Sequence, residues 1–162
     1  MKKTLTCSVC HHKNESEVHT QLVNICPENK KCISDLLNKS FLSQITKTCA
    51  VCSDDTIHLE HASLFSHPNV LVIIINRYSF NNNARKDKTH IILNRKIQHN
   101  SINYNLVGAI FHHGDSLNSG HYTSKIYYTD VAFHCNDERI TKQTPNEELS
   151  GDIYIAIYKF CN

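Results

Sequence analysis

Two cysteine pairs and one histidine-bearing turn are the segments of this sequence whose residue types and spacing can do chemistry. Cys7-Ser8-Val9-Cys10 and Cys49-Ala50-Val51-Cys52 are CxxC knuckles separated by 38 residues. A tetrahedral zinc ion takes four thiolates at about 2.3 Å, and one tight CxxC turn brings two sulfurs to bear on it. Cys7, Cys10, Cys49 and Cys52 therefore form a candidate structural Zn2+ site. The plainer alternatives are buried cysteines that pair by accident, or a site that has lost its metal. Four protein ligands leave no open position for water, so a metal here would hold the fold and take no part in a reaction. The gap between knuckles exceeds the roughly 15–20 residues of a plain ribbon. The intervening chain must leave the first knuckle, add structure elsewhere and return.

The second segment runs from Gly114-Asp115-Ser116 to Ser119-Gly120-His121-Tyr122. It is a turn-rich loop ending in a glycine, which lets a backbone come close to a bound chain, with a histidine opening the next strand. That is a sound position for a general base. Asn136-Asp137 follows 15 residues after His121. An antiparallel hairpin would return one of these residues to the level of His121, where an amide or a carboxylate orients the imidazole. Alone, His121 is one of twelve histidines, and an exposed His with no chemical role is the plainer reading. Cys26, Cys32, Cys135 and Cys161 lie in apolar or strand-like stretches, so core packing is expected of them.

The elements that must position these residues are mainly strands. Val18 to Ile25, Val70 to Asn76, His90 to Leu93, Tyr104 to His112, His121 to Tyr128, Val131 to Cys135 and Tyr154 to Phe160 are rich in Ile, Val, Tyr and Phe. Val70 to Asn76 is a β-branched run suited to burial on both faces. Cys32 to Lys39 and Thr144 to Leu149 carry weak helical character, and Asn81-Asn82-Asn83 reads as a loop. The expected class is α+β with β in excess, built on a large, mostly antiparallel sheet. Its 162 residues suit one hydrophobic core. A net charge of +2 with scattered basic residues argues against a nucleic-acid partner. No apolar run approaches the ~18 residues of a membrane span. The apolar region of a secretory signal is missing after Met1-Lys2-Lys3, and eight cysteines read as ligands or nucleophiles in a reducing compartment. A cytoplasmic or nuclear address is expected.

Together these motifs resemble the ubiquitin-specific proteases, the thiol deubiquitinases. CSVC and CAVC are similar to the zinc knuckles of that family's fingers subdomain. His67 to Tyr78 is similar to a palm strand that ends in an Arg-aromatic pair, and Tyr104 to Gly114 is similar to the strand leading into the histidine box. Ser119 to Thr123, Asn136-Asp137 and Tyr154 to Tyr158 follow in the family's order. The resemblance implies a papain-like cysteine protease fold, with residues 1–60 as fingers and 61–162 as palm. It implies His121 as the catalytic histidine, Asn136 as the residue that orients it, and Asp137 as a contributor. Gly114, Asp115, Gly120 and Tyr122 would lie along the extended ubiquitin tail, and ubiquitin or a ubiquitinated protein is the implied partner.

The family's nucleophile box, a GNTC-like segment opening a helix, has no counterpart here, so the helical thumb is expected to lie outside this chain. Where the family has a Trp ahead of Asn136, this sequence has Ala132, a change expected to leave a void unless neighbours repack. Cys135, beside Asn136, should point to the opposite face of its strand and is not expected to replace the nucleophile. Three functions remain open: a deubiquitinase half completed by a separate thumb, a non-catalytic ubiquitin-binding module, and a zinc-ribbon nucleic-acid binder. An upstream GNTC-like helix favours the first, ubiquitin binding that survives His121→Ala favours the second, and salt-sensitive oligonucleotide binding favours the third.

Overall fold

Alternating apolar residues pair into three sheets in the computed structural model, which describes residues 1–18, 20, 22–64, 68–78, 86–116 and 119–161. In chain order the elements are β1 (Lys2–Cys7), β2 (Lys13–Glu17), β3 (Leu22–Ile25), α1 (Ile33–Ser40), β4 (Leu42–Thr48), β5 (Asp55–Ser63) and β6 (Val70–Ile75). Then come β7 (Ile91–Leu93), β8 (Lys96–His99), β9 (Ile102–His113), β10 (His121–Tyr127), β11 (Ala132–Asn136), β12 (Arg139–Gln143), β13 (Glu148–Ser150) and β14 (Ile153–Phe160). The class is α+β with β in excess.

A four-stranded sheet of order β2-β1-β5-β4 joins the two knuckles. Between them the chain leaves that sheet, contributes β3 and α1 to the rest of the molecule, and returns as β4. The larger sheet has the order β12-β11-β10-β9-β14-β6-β3, with β8 on β9; β3 runs parallel to β6, and the other pairs among the described residues are antiparallel. Its inner face carries Leu71, Ile73 and Ile75 of β6, Ala109 and Phe111 of β9, and Tyr127 and Ala132 of the next two strands, all buried. Ile33, Leu36 and Leu37 of α1, with Ile91 and Leu93 of β7, complete this core. The outer face aligns Ile74, Ile155 and Ile110 in one row and Val72 with Ile157 in the next. These are only half-buried, while Ile126 and Ile140 beyond them are exposed.

Several expectations need correction. β6 is fully buried on one face only: Leu71, Ile73 and Ile75 are buried, whereas Val72 and Ile74 are half-buried and Val70 is exposed. The strand read from Val18 onward begins at Leu22: the Thr20 hydroxyl accepts from the Leu22 N–H at 3.0 Å, a local turn that competes with strand pairing. Residues 144–149 form no helix. Pro145 disfavours a helical Thr144, and Glu148–Ser150 pair with β7 instead. Cys26 and Cys161 are exposed and Cys32 and Cys135 half-buried, because each lies at or near the end of its element and outside the core. Ala132 is buried, and beside it a solvent-facing groove of about 190 Å³ runs between Lys125, Gln143 and Glu148. Tyr127 packs there beneath Arg95, whose guanidinium lies 4.6 Å from the ring centre. The Asn81-Asn82-Asn83 loop and His67 lie outside the described residues.

Candidate active site and metal centre

The β11–β12 connection determines what faces His121. Asn136 and Arg139 pair across a two-residue turn whose first residue, Asp137, has φ +50°, a left-handed position that Asp tolerates better than most residues. The turn directs the Asn136 amide toward β10. His121 Nε2 lies 2.6 Å from Asn136 Oδ1 and 3.9 Å from Asp137 Oδ2. An amide oxygen only accepts, so Nε2 carries the proton and Nδ1 is left with its lone pair. Nδ1 has no hydrogen-bond partner among the described residues. The imidazole is 49% exposed and Asp137 78%, which makes Asp137 a weak partner beside Asn136.

The turn ahead of His121 is held by close backbone contacts. A Cβ on Gly120 would collide with the His112 ring and come within 2.6 Å of the His113 carbonyl oxygen, and one on Gly114 would be 2.8 Å from the Ser119 carbonyl oxygen. Only glycine fits either place. Lys88 pairs with Asp115, and its hydrogen bond and charge draw that carboxyl below its usual value. The Lys86 N–H donates to the Asp115 carbonyl at 3.2 Å. Tyr122 stacks on His112 with ring centres 4.5 Å apart. Gly114 and Gly120 thus meet across the turn, Asp115 is tied to Lys88, and Tyr122 lies on the face of β10 opposite His121; Leu117 and Asn118 lie outside the described residues.

At the far end of the four-stranded sheet, the sulfurs of Cys7, Cys10, Cys49 and Cys52 all lie within 4.8 Å of one another. The two knuckles repeat one geometry. The His11 N–H donates to the Cys7 carbonyl at 3.1 Å and the Ser53 N–H to that of Cys49 at 2.8 Å, and His11 and Ser53 share φ +59°. Across the knuckles Cys7 Sγ and Cys52 Sγ are 3.9 Å apart, and Cys10 Sγ and Cys49 Sγ 3.6 Å. A tetrahedron of 2.3 Å metal–sulfur bonds has edges of about 3.8 Å, so the four residues fit a tetrahedral ion. The Thr56 hydroxyl and the N–H groups of Cys10 and Val9 lower the Cys7 thiol to about 5, against some cost of burial. The N–H groups of Cys52 and Val51 lower Cys49. Cys52 is pushed up to about 12 by the Cys10 thiol, burial, and the Cys49 and Cys7 thiols. Sulfurs this close cannot all ionise together unless a cation lies among them.

A family model of ubiquitin carboxyl-terminal hydrolase matches residues 1–158. The chain belongs to that family. It is 26% identical over 153 residues to ubiquitin hydrolase B of Dictyostelium discoideum, covering 86% of this chain and 34% of that protein. With ubiquitin carboxyl-terminal hydrolase 44 of Ailuropoda melanoleuca it shares 29% identity over 109 residues, 56% of this chain and 15% of the other. A 56-residue stretch is 43% identical to ubiquitin carboxyl-terminal hydrolase 51 of Mus musculus, covering 34% of this chain and 8% of that protein. Among solved structures, the SAGA DUB module of Ubp8, Sgf11, Sus1 and Sgf73 bound to monoubiquitin matches with a TM-score of 0.80 at 19% identity, over 99% of this chain and 40% of that one. The same module bound to ubiquitin aldehyde matches with a TM-score of 0.77 at 18% identity, again over 99% and 40%. The fold is therefore that of the ubiquitin hydrolases, and this chain spans about a third of its first relative's length.

A further set of polar residues, which the sequence did not single out, lies on and around the strand that pairs with His121. Lys86 is buried and its ammonium donates to the His112 carbonyl and, at 2.6 Å, to Asp152 Oδ1. Tyr78 and His112 share a 2.5 Å hydrogen bond. Burial, followed by the Lys86 charge, lowers the His112 imidazole. A Lys and an Asp that meet from 66 residues apart leave no local signal, although the adjacent His112-His113 pair at the end of a long strand is visible in the sequence.

Proposed function

We propose that this chain carries the histidine and asparagine of a thiol-dependent ubiquitin hydrolase site. The observation that carries the reading is the 2.6 Å contact between His121 Nε2 and Asn136 Oδ1, which leaves Nδ1 without a partner among the described residues. Asn136 holds the tautomer in which Nδ1 is basic. Nδ1 takes the proton of a cysteine thiol supplied from outside these 162 residues. The thiolate attacks the carbonyl carbon at the C-terminal glycine of ubiquitin. As the C–N bond breaks, the proton passes from Nδ1 to the leaving lysine amine and a thioester remains. Water, deprotonated by the same nitrogen, then cleaves the thioester and restores the thiol. Cys135 is not that nucleophile: it pairs with Ser124 on β10, and strand alternation sends it to the face opposite Asn136.

The ion at Cys7, Cys10, Cys49 and Cys52 is proposed to be Zn2+, whose chemistry there is to hold the two knuckles together. The ubiquitin body is proposed to lie across the face of the four-stranded sheet where Leu42, Ile57 and Leu59 are about half exposed or more. Reduced thiols are needed at both centres, which suits a cytoplasmic or nuclear setting.

The test mixes this chain with a fragment carrying the nucleophile and measures release of a reporter from the ubiquitin C-terminus. Cleavage should appear only in the mixture and fall by at least about a hundredfold in His121→Ala, the usual scale for a lost general base. Folded partners that bind each other and ubiquitin without turnover would overturn the catalytic reading. In that case saturable ubiquitin binding unchanged in His121→Ala would leave a binding module based on the Leu42, Ile57 and Leu59 face.

A further inference from the structure

Behind His121 stands a second imidazole in a fully assigned chain of hydrogen bonds. His113 is the cross-strand partner of His121, and such partners have Cβ atoms about 4.5–5.5 Å apart. His113 Nδ1 lies 3.1 Å from Asp152 Oδ2, and its Nε2 lies 2.8 Å from Thr123 Oγ1. The other Asp152 oxygen accepts from Lys86 at 2.6 Å, and that lysine side chain is 1% exposed. Directions follow from what each group can do. An ammonium only donates and a carboxylate only accepts, so Nδ1 of His113 carries the proton. The remaining nitrogen of the neutral ring accepts, and the Thr123 hydroxyl donates to it. Burial raises the Asp152 carboxyl, but the hydrogen bond and charge of Lys86 and the hydrogen bond from His113 outweigh it and lower the group overall.

Hydroxyl, imidazole and carboxylate stand here in the order of a nucleophilic triad. Thr123 is buried inside the sheet, however, and a hydroxyl that no carbonyl carbon can approach does not attack. Its place points to another role. Thr123 lies two residues beyond His121 on the same face of β10, while Tyr122 between them turns to the other face and stacks on His112. The first residues of β10 are therefore gripped from both sides, by His112 on one and by His113 on the other. We propose that Asp152 is a positioning residue for His121, acting through His113 and Thr123. This rests on the reading of His121 as the base and adds the residues that fix where it stands.

The experiment is imidazole NMR on the folded chain, comparing the native protein with Thr123→Val, Thr123→Ser and Asp152→Asn. Thr123→Val removes only the hydroxyl and leaves the Lys86–Asp152 pair in place. It should speed exchange of the His121 Nε2 proton roughly two- to tenfold, the factor that one net hydrogen bond represents. Thr123→Ser should restore the native rate. Asp152→Asn should in addition shift His113 away from the Nδ1–H tautomer. If Asp152→Asn fails to fold because Lys86 loses its partner, the two Thr123 variants decide alone. A folded Thr123→Val whose His121 shifts and exchange are native overturns the proposal. No ubiquitin is present in this measurement, so its outcome is independent of whether the chain supports hydrolysis.

Discussion

Arg77 is a residue whose loss the structure penalises heavily, and its effect can be worked out. The side chain is fully buried, and its guanidinium donates to four backbone carbonyls: Ile153 at 2.6 Å, Thr89 at 2.8 Å, Asp87 at 2.9 Å and Ser150 at 3.4 Å. Burial lowers its pKa, while Asp87 and Asp152 favour its charge. Arg77→Lys keeps the charge but replaces a planar fork with a single ammonium that cannot reach both Ile153 and Thr89. At least one or two buried carbonyls then lose their donor, at about 1–3 kcal/mol each, so the variant should lose roughly 2–5 kcal/mol. A domain of this size has about 5–15 kcal/mol in all, and the variant should unfold at a visibly lower urea concentration. The assay is equilibrium urea unfolding followed by far-UV circular dichroism. The carbonyls belong to residues 87–89 and 150–153, which flank Lys86, Lys88 and Asp152, so exchange protection near His113 should fall before the rest of the sheet. A midpoint within about 1 kcal/mol of native, at unchanged slope, would refute the reasoning.

Chelating the Zn2+ proposed at the knuckles should strip hydrogen-exchange protection from β1, β2, β4 and β5 while β6, β9 and β14 keep theirs, because β2 and β4 are exposed along their whole length; protection of β4 that survives chelation unchanged would show that the knuckles hold without a metal. Stability should fall between pH 7 and pH 5, since His112 has a lowered pKa in the folded state and the unfolded chain takes up its proton first, below about 6.5. Urea midpoints across that range should flatten in His112→Gln. Asp152, also lowered, contributes stability above about pH 4 that is lost only as the pH falls through its folded value, and a steep loss between pH 6 and pH 5 in His112→Gln would contradict this division. The outer face of the large sheet should drive concentration-dependent self-association of the isolated chain, because a contiguous apolar surface of this kind rarely stays bare; light scattering should report a smaller mass for Ile126→Glu, and a native chain that is monomeric at high concentration would remove the prediction.

Residues close in sequence, or linked by hairpin arithmetic, are legible in the order of amino acids alone. The CxxC pairs announce four converging sulfurs, and the distance from His121 to Asn136 is that of a strand, a turn and a strand. Strands that bury a face are also legible, as in Val70–Ile75 and Ile153–Phe160. The small sheet is not. β2 reads Lys-Asn-Glu-Ser-Glu and β4 Leu-Ser-Gln-Ile-Thr-Lys-Thr, and both are exposed throughout, so neither has the apolar alternation by which a strand is recognised. Their pairing is imposed by the knuckles and by β1 and β5 between them. Cys26 and Cys161 escape the burial expected of them because an apolar neighbourhood in sequence does not say on which side of a strand end the chain leaves the core.

The surroundings of the histidine show most clearly what sequence withholds. His112 and His113 are adjacent on one strand, and strand geometry alone requires that their side chains leave on opposite faces. That much is readable, and it means that any strand paired beside them is flanked by an imidazole on each face. What each imidazole does there depends on partners that arrive from elsewhere: Tyr78 for His112, and Asp152 with its buried Lys86 for His113. On the proposed reading, His121 would be placed by groups that precede and follow it by some thirty residues or more, brought together only when β14 and the segment around Lys86 close against β9. A site built this way is as precise as the sheet that carries it, which is why a buried arginine that touches neither His121 nor Asn136 is expected to matter to both.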